Sequence, residues 1–196
     1  YLPFFLLGHA AALLGAGPVD GFSAPYQIAV AVGCLFYAWL GLVHLRRTLL
    51  RFFSEGVSAA TLVVIVLGTN YLHFATMKDL ETANFLFCWM SVLVWNTLRW
   101  HEEGKRSNLL WIAFSIALIT LIKPSEIICG LIPLLWGVHD GPTLRAKLNL
   151  LGEHWKDLVL ALLVGLLVLS PQLLYWKAMT GSFVYESYKN PGVGLD

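Results

Sequence analysis

Residues 26–45 read YQIAVAVGCLFYAWLGLVHL and contain no Asp, Glu, Lys or Arg. In a helix that rises 1.5 Å per residue, about 20 apolar residues are enough to cross the hydrocarbon core of a bilayer. The run shows no alternation of apolar and polar residues, so a helix is favoured over a strand of a membrane barrel. A helix also satisfies its own backbone hydrogen bonds in lipid. The stretch therefore predicts a membrane-spanning helix.

Further apolar runs extend this prediction to an all-α, polytopic membrane bundle. Three of them are about as long as the first, namely residues 57–75, 82–100 and 157–176. Residues 1–16 are also apolar but contain Pro3, Gly8 and His9, so they fit either an interfacial helix or the end of a spanning one. The chain begins at Tyr1 and stops in a polar stretch. We therefore expect residues 1–196 to be a segment of the single transmembrane domain of a longer protein, truncated at both ends.

Two shorter apolar runs, residues 109–122 and 127–138, flank the sequence Lys123-Pro124-Ser125-Glu126. Joined as one kinked helix, they would place a lysine at mid-depth, which costs about 2.5–3.5 kcal/mol on insertion scales. Pro124 also disfavours helical backbone at Lys123. We therefore expect a short broken hairpin around residues 109–138, with the Lys-Pro-Ser-Glu turn near one membrane surface.

The overall composition agrees with a membrane protein. Hydrophobic residues make up 58% of the 196 residues, charged residues make up 13%, and the mean hydropathy is +0.70. A soluble domain carries about 25% charged residues, so the composition excludes a soluble enzyme domain and a disordered chain. The formal net charge of +1 argues against a nucleic-acid-binding module. The three cysteines lie in apolar runs and fit small buried side chains better than a disulfide framework.

The charged loops predict an orientation. Nine basic residues fall on one side of the predicted membrane and four on the other. By the positive-inside rule, loops 46–56 and 99–108 are cytoplasmic, and loop 76–82 is extracytoplasmic.

Several polar residues are candidates for chemistry on the extracytoplasmic side. Lys123 either snorkels to the surface and pairs with Glu126, or lies at the mouth of an intramembrane cavity and binds a lipid phosphate. Asp20 fits a turn. The histidines are scattered, so no metal site is predicted. The candidates for lining the cavity are Tyr71, His73, Glu81, Ser125 and Glu126.

The order of several segments resembles a known family. These segments are YLPFFLLGH (1–9), DGFSAPYQ (20–27), GTNYLHFAT (68–76), LITLIKPSEIICGLIPLLWG (118–137) and SPQLLYWKAMTGSFVYESYKNPG (170–192). Together they resemble the GT-C class of polytopic glycosyltransferases. Within that class they are most similar to bacterial relatives of the dolichyl-phosphate-mannose–protein mannosyltransferases.

The resemblance implies an inverting transfer of a sugar from a polyprenyl-phosphate donor to an acceptor. The reaction would take place on the periplasmic or extracellular face of the bacterial inner (plasma) membrane. Lys123 matches the basic position before proline that would hold the donor phosphate. The resemblance places the catalytic base in the first extracytoplasmic loop, so we expect it upstream of Tyr1, with Asp20 and Asp79 as the candidates within the chain. It implies no definite cofactor and leaves a divalent metal open, although Asn84 stands where it leads us to expect a histidine.

Two other functions are compatible with the sequence. A secondary transporter or lipid flippase would use the broken helix to line a substrate path. A non-catalytic membrane scaffold would need none of these polar residues. The absence of an internal repeat in the sequence does not favour transport.

Overall fold

The computed structural model describes residues 1–76 and 82–183, and within these residues the chain is all helical. The prediction of an all-α fold is confirmed for this part of the chain. The helices are α1 (Leu2–Ala11, continued by a π-helical turn Ala12–Ala16), α2 (Ala24–Leu49), α3 (Glu55–Gly68), α4 (Tyr71–Thr76), α5 (Ala83–Glu103), α6 (Arg106–Ile122), a 3₁₀ segment (Pro124–Gly130), α7 (Leu131–Leu135), α8 (Gly141–Glu153) and α9 (Trp155–Thr180).

Two of these helices, α2 and α9, are long and apolar enough to span a membrane. The other apolar helices are shorter: Leu2–Ala16, Glu55–Gly68, Arg106–Ile122 and Pro124–Leu135. The fold therefore combines two long apolar helices with a set of shorter ones. Because of this difference in length, the helices do not all end at the same level.

The predicted run 57–75 is not one helix. α3 ends at Gly68, Thr69 is extended, and α4 begins at Tyr71. The Thr69 hydroxyl donates to the Ile65 carbonyl at 2.6 Å and accepts the Tyr71 backbone N–H at 3.2 Å. A threonine hydroxyl that bonds nearby backbone in this way competes with the helical ladder, which accounts for the break.

The region around residues 109–138 is broken at Lys123, whose backbone is extended (φ −148°, ψ 103°). After Pro124 the chain runs back along α6, so that Gly130 packs against Ile116 and the Trp136 ring lies 6.4 Å from the His101 ring near the end of α5. The returning arm differs from the helix expected over 127–138. It is mostly 3₁₀, and its α-helical part ends at Leu135.

The core lies where α5, α6, the returning arm and α9 meet. The fully packed hydrophobic residues there are Leu93, Trp100, Leu109, Ile112, Ile119, Cys129 and Ala161. A second seam joins α1 to α2, where Gly8 lies directly against the backbone of Pro25 and Tyr26. α2 packs in turn on α5, where Gly41 lies against the backbone of Cys88, and these contacts together join α1, α2, α5, α6 and α9.

Ion pairs between neighbouring helices cluster at one end of the bundle. Arg46 pairs with Glu55, Arg51 with Glu102, and Arg106 with Asp157. We call this end, marked by these three pairs, the ion-paired end. Residues 139–156, which lie between two of the predicted apolar runs, contain α8 at this end. α8 begins with a capping box in which the Asp140 carboxylate accepts the Thr143 backbone N–H at 2.8 Å.

Candidate functional site

The end of the bundle opposite the ion pairs is recessed. α2 and α9 are 26 residues each, whereas α3 has 14 and α6 has 17. At 1.5 Å per residue the long helices measure about 39 Å, and the short ones about 21 Å and 26 Å. Because the ion pairs hold one end level, the short helices stop well before the long ones. We call the step at Thr69–Thr76 and Lys123–Glu126 the recessed end. Beside it, α1 packs along the projecting part of α2, and the Tyr1 ring covers Phe85 at the start of α5.

Contacts along α2 show the depth of this step. The Asn84 side-chain amide, near the start of α5, donates to Cys34 Sγ at 3.5 Å. The Cys34 thiol in turn reaches the Phe74 carbonyl in α4 at 3.9 Å. α2 begins at Ala24 and so continues ten residues, about 15 Å, beyond Cys34. The polar residues of α4 and of the start of α5 therefore lie below the end of α2.

Lys123 and Glu126 form an ion pair in the turn of the broken hairpin. Lys123 Nζ donates to Glu126 Oε1 at 2.7 Å, and the lysine side chain is 56% exposed. Ser125 is exposed in the same turn. Of the two roles predicted for Lys123 from the sequence, pairing with Glu126 and binding a lipid phosphate, this contact is the first. An exposed pair contributes little to stability, so the ammonium can exchange its carboxylate for another anion at small cost.

An apolar groove of about 310 Å³ begins beside this turn. Thr120 and Ile127, which flank the turn in the chain, line one end of the groove, and Trp100 and Leu109 line the other. One face of α6, the returning arm and α9 form the walls. The Thr120 hydroxyl already donates to the Ile116 carbonyl at 2.8 Å, so the wall presents an almost purely hydrocarbon surface.

Tyr71 and His73 lie at the recessed end, on α4. The Tyr71 hydroxyl donates to the Ala38 carbonyl at 2.6 Å, and its ring packs edge-on against Phe87 at 4.9 Å. His73 is exposed and its ring lies against Phe74. Tyr71 therefore fastens α4 to α2, while His73 is the more accessible of the two.

The remaining candidates lie apart from this turn. Asp20 accepts the backbone N–H groups of Phe22 and Ser23, both at 2.8 Å, and these bonds lower the pKa of its carboxyl. It sits before α2, at the outer side of the step. Asn84 is buried between α2 and α5. Asp79 and Glu81 lie outside the described residues. Within residues 1–76 and 82–183, no cluster of three His, Cys, Asp or Glu side chains could hold a metal ion.

One unusual group, Lys147, is not singled out by the sequence, where it is one of the nine basic residues on the predicted cytoplasmic side. Lys147 is only 6% exposed; its Nζ donates to the Pro133 carbonyl at 2.7 Å, contacts His101 Nε2 and lies 5.2 Å from the centre of the Trp100 ring. Burial lowers the pKa of this ammonium. The signal in the sequence is a lysine on the same helical face as Leu151, where an apolar residue is expected.

No protein-family model, characterised protein or solved structure matches this chain. A function can therefore be inferred only from the geometry of the apolar groove and the ion pair beside it.

Proposed function

We propose that this chain is part of an integral membrane glycosyltransferase that takes a sugar from a polyprenyl-phosphate donor on the extracytoplasmic side. The observation that carries the proposal is the apolar groove that ends beside the Lys123–Glu126 turn. A hydrocarbon wall with an exposed lysine near one end suits an amphiphile with a long apolar tail and a phosphate head. The two long apolar helices and the composition support a membrane location.

In this proposal the groove holds the first part of the lipid tail. The lined face of α6 runs from Leu109 to Thr120, which is about 16 Å of helix. Lys123 binds the phosphate and stabilises the negative charge that develops on it when the sugar–phosphate bond breaks. Glu126 holds the lysine in place until the donor arrives.

The acceptor hydroxyl needs a carboxylate to take its proton. Asp20 is poorly suited to this role, because two backbone N–H groups already stabilise its charged form. We therefore propose that another carboxylate is the base, and Asp79, which lies outside the described residues, is the candidate within this chain. Tyr71, His73 and Ser125 remain candidates for lining the cavity.

The first test is Lys123→Ala in the full-length membrane protein. We expect donor affinity to fall about 10- to 100-fold, since a hydrogen bond to a charged group contributes about 1.5–3 kcal/mol. Binding of a polyprenyl-phosphate sugar is measured together with sugar transfer. Lys177→Ala is the matched control, because Lys177 is an exposed lysine in the last turn of α9, at the same end of the molecule. Its ammonium contacts only its own neighbourhood, the Gly181 carbonyl and the Phe183 ring, among the described residues. Unchanged donor binding in Lys123→Ala would refute the phosphate site.

The same preparation separates transfer from transport. The broken, partly 3₁₀ arm after Pro124 would also suit a flippase or secondary transporter, because interrupted helices of this kind line transport paths. If proteoliposomes move a labelled polyprenyl-phosphate lipid across the bilayer but transfer no sugar from it, the protein is a transporter and the proposed enzyme activity is wrong.

A further inference from the structure

α8 and the start of α9 carry an apolar strip beside exposed basic residues at the ion-paired end. Leu144 is 44% exposed, Leu148 is 58% exposed, and the two lie one helical turn apart on α8. Trp155, the first residue of α9, is equally exposed, and the Lys156 ammonium lies 5.7 Å from the centre of its ring. Arg145 is exposed on α8. We call Leu144, Arg145, Leu148, Trp155 and Lys156 the α8 strip.

The inner side of α8 is firmly attached, so the strip faces outward. Lys147 reaches the Pro133 carbonyl in α7 and the His101 ring in α5, while Leu150 and Leu151 pack on the core. At 100° per residue, Leu144 and Leu148 lie between this buried side and the polar side that contains Arg145 and Asn149. α8 therefore has three sides: one packed, one apolar and uncovered, and one polar.

The charges favour an anionic covering surface. Arg46, Arg51 and Arg106 at this end are each paired with a carboxylate. Arg145 and Lys156 have no carboxylate partner among residues 1–76 and 82–183. An apolar strip flanked by unneutralised cations and a tryptophan is the pattern of a helix that lies in a membrane interface.

We propose that the α8 strip lies in the headgroup region of the membrane leaflet at the ion-paired end and binds anionic phospholipids. This inference rests on the membrane location in the proposed function, but not on sugar transfer. Leu144 and Leu148 enter the boundary between headgroups and acyl chains. Arg145 and Lys156 bind lipid phosphates, and Trp155 marks the level at which α9 enters the bilayer. The packed Lys147 sets the height of α8.

The test uses a nitroxide label on the full chain in vesicles of phosphatidylcholine alone or with about 30% phosphatidylglycerol. The three native cysteines are buried, so the label is directed to Leu148→Cys or to the control Asn149→Cys. In the anionic vesicles we expect position 148 to be reached mainly by lipid-soluble oxygen, and position 149 by a water-soluble nickel reagent. Adding Arg145→Gln and Lys156→Gln should raise nickel access at position 148 about fivefold or more, because each basic residue near an anionic surface contributes about that factor.

Three outcomes overturn the inference. Equal nickel access at positions 148 and 149 would show that the strip stays in water. Shielding of position 148 from both reagents would show that protein, either a second copy or another segment, covers it. Insensitivity to phosphatidylglycerol and to the two charge substitutions would exclude an anionic partner. A label at Leu163→Cys, on the exposed face of α9, reports whether α9 is inserted in the bilayer. Water exposure at position 163 would contradict the membrane location itself, whereas water exposure at position 148 alone would contradict only the inference about the α8 strip.

Discussion

Two lysines near opposite ends of the apolar groove show how differently the same side chain can be used. Lys123 is exposed and has one carboxylate partner in its own turn. Lys147 is buried and satisfies its ammonium with a carbonyl, an imidazole nitrogen and the face of an indole. His101 Nδ1 donates to the Thr97 carbonyl, so its Nε2 is free to accept from Lys147. A buried ammonium is tolerated only when its donors are used in this way.

Lys147→Ala should therefore destabilise the protein. We expect a loss of about 2 kcal/mol in the free energy of unfolding, because the buried Pro133 carbonyl and His101 nitrogen lose their donor. Chemical unfolding in detergent micelles measures this loss. Lys156→Ala, at an exposed position, should change stability by less than about 0.5 kcal/mol. Equal effects from the two substitutions would show that the buried contacts of Lys147 do not anchor α8.

At the scale of elements, the seams depend on small residues where helices meet backbone to backbone. A Cβ added at Gly8 would lie 2.9 Å from the Pro25 carbonyl oxygen and 2.9 Å from Tyr26 Cα. Both neighbours are backbone atoms, so neither can move aside by changing a rotamer. α1 can approach α2 this closely only because residue 8 has no side chain.

Gly8→Ala should force α1 away from α2. We expect a destabilisation of about 1–3 kcal/mol from overpacking, less any gain in helix propensity. The matched control is Gly56→Ala in α3, where an added Cβ would meet nothing within 4 Å and should leave stability unchanged or slightly higher. Thermal unfolding of both variants is the measurement, and a Gly8→Ala variant as stable as the Gly56→Ala one would contradict the tight seam.

The breaks between elements were predictable to different degrees. Pro124 marks the break at Lys123 in the sequence, because proline restricts the backbone of the residue before it. The break at Thr69 carries no comparable signal. There the threonine hydroxyl bonds local backbone, a choice that depends on packing as well as on residue type.

At the scale of the whole molecule, the two ends differ in kind. One end is level and held by ion pairs, and the other is recessed because α3 and α6 are shorter than α2 and α9. The exposed turn of Lys123 and Ser125 belongs to the recessed end, whereas α8 belongs to the ion-paired end. A protein that spans a bilayer with this arrangement presents these two regions to opposite compartments.

Cysteine labelling in intact cells tests this orientation. With Ser125→Cys, a membrane-impermeant maleimide added outside should react without lysis, because Ser125 is exposed at the recessed end. Asn149→Cys, exposed on α8, should react only after lysis. The native cysteines are buried and provide the background. The reverse pattern would invert the orientation predicted from the basic loops, and labelling of both sites without lysis would contradict a spanning arrangement.

The sequence by itself determined the helical class and the main apolar runs, because long stretches without charge or alternation leave the backbone few other ways to satisfy its hydrogen bonds. Its charges predicted which residues share a side, and its proline predicted the hairpin break. Only the tertiary structure decided how far each helix extends relative to its neighbours, and hence where the step lies. It also decided that Lys147 is buried while Lys123 is exposed, because burial depends on which helices pack together as well as on the spacing of residues along one helix.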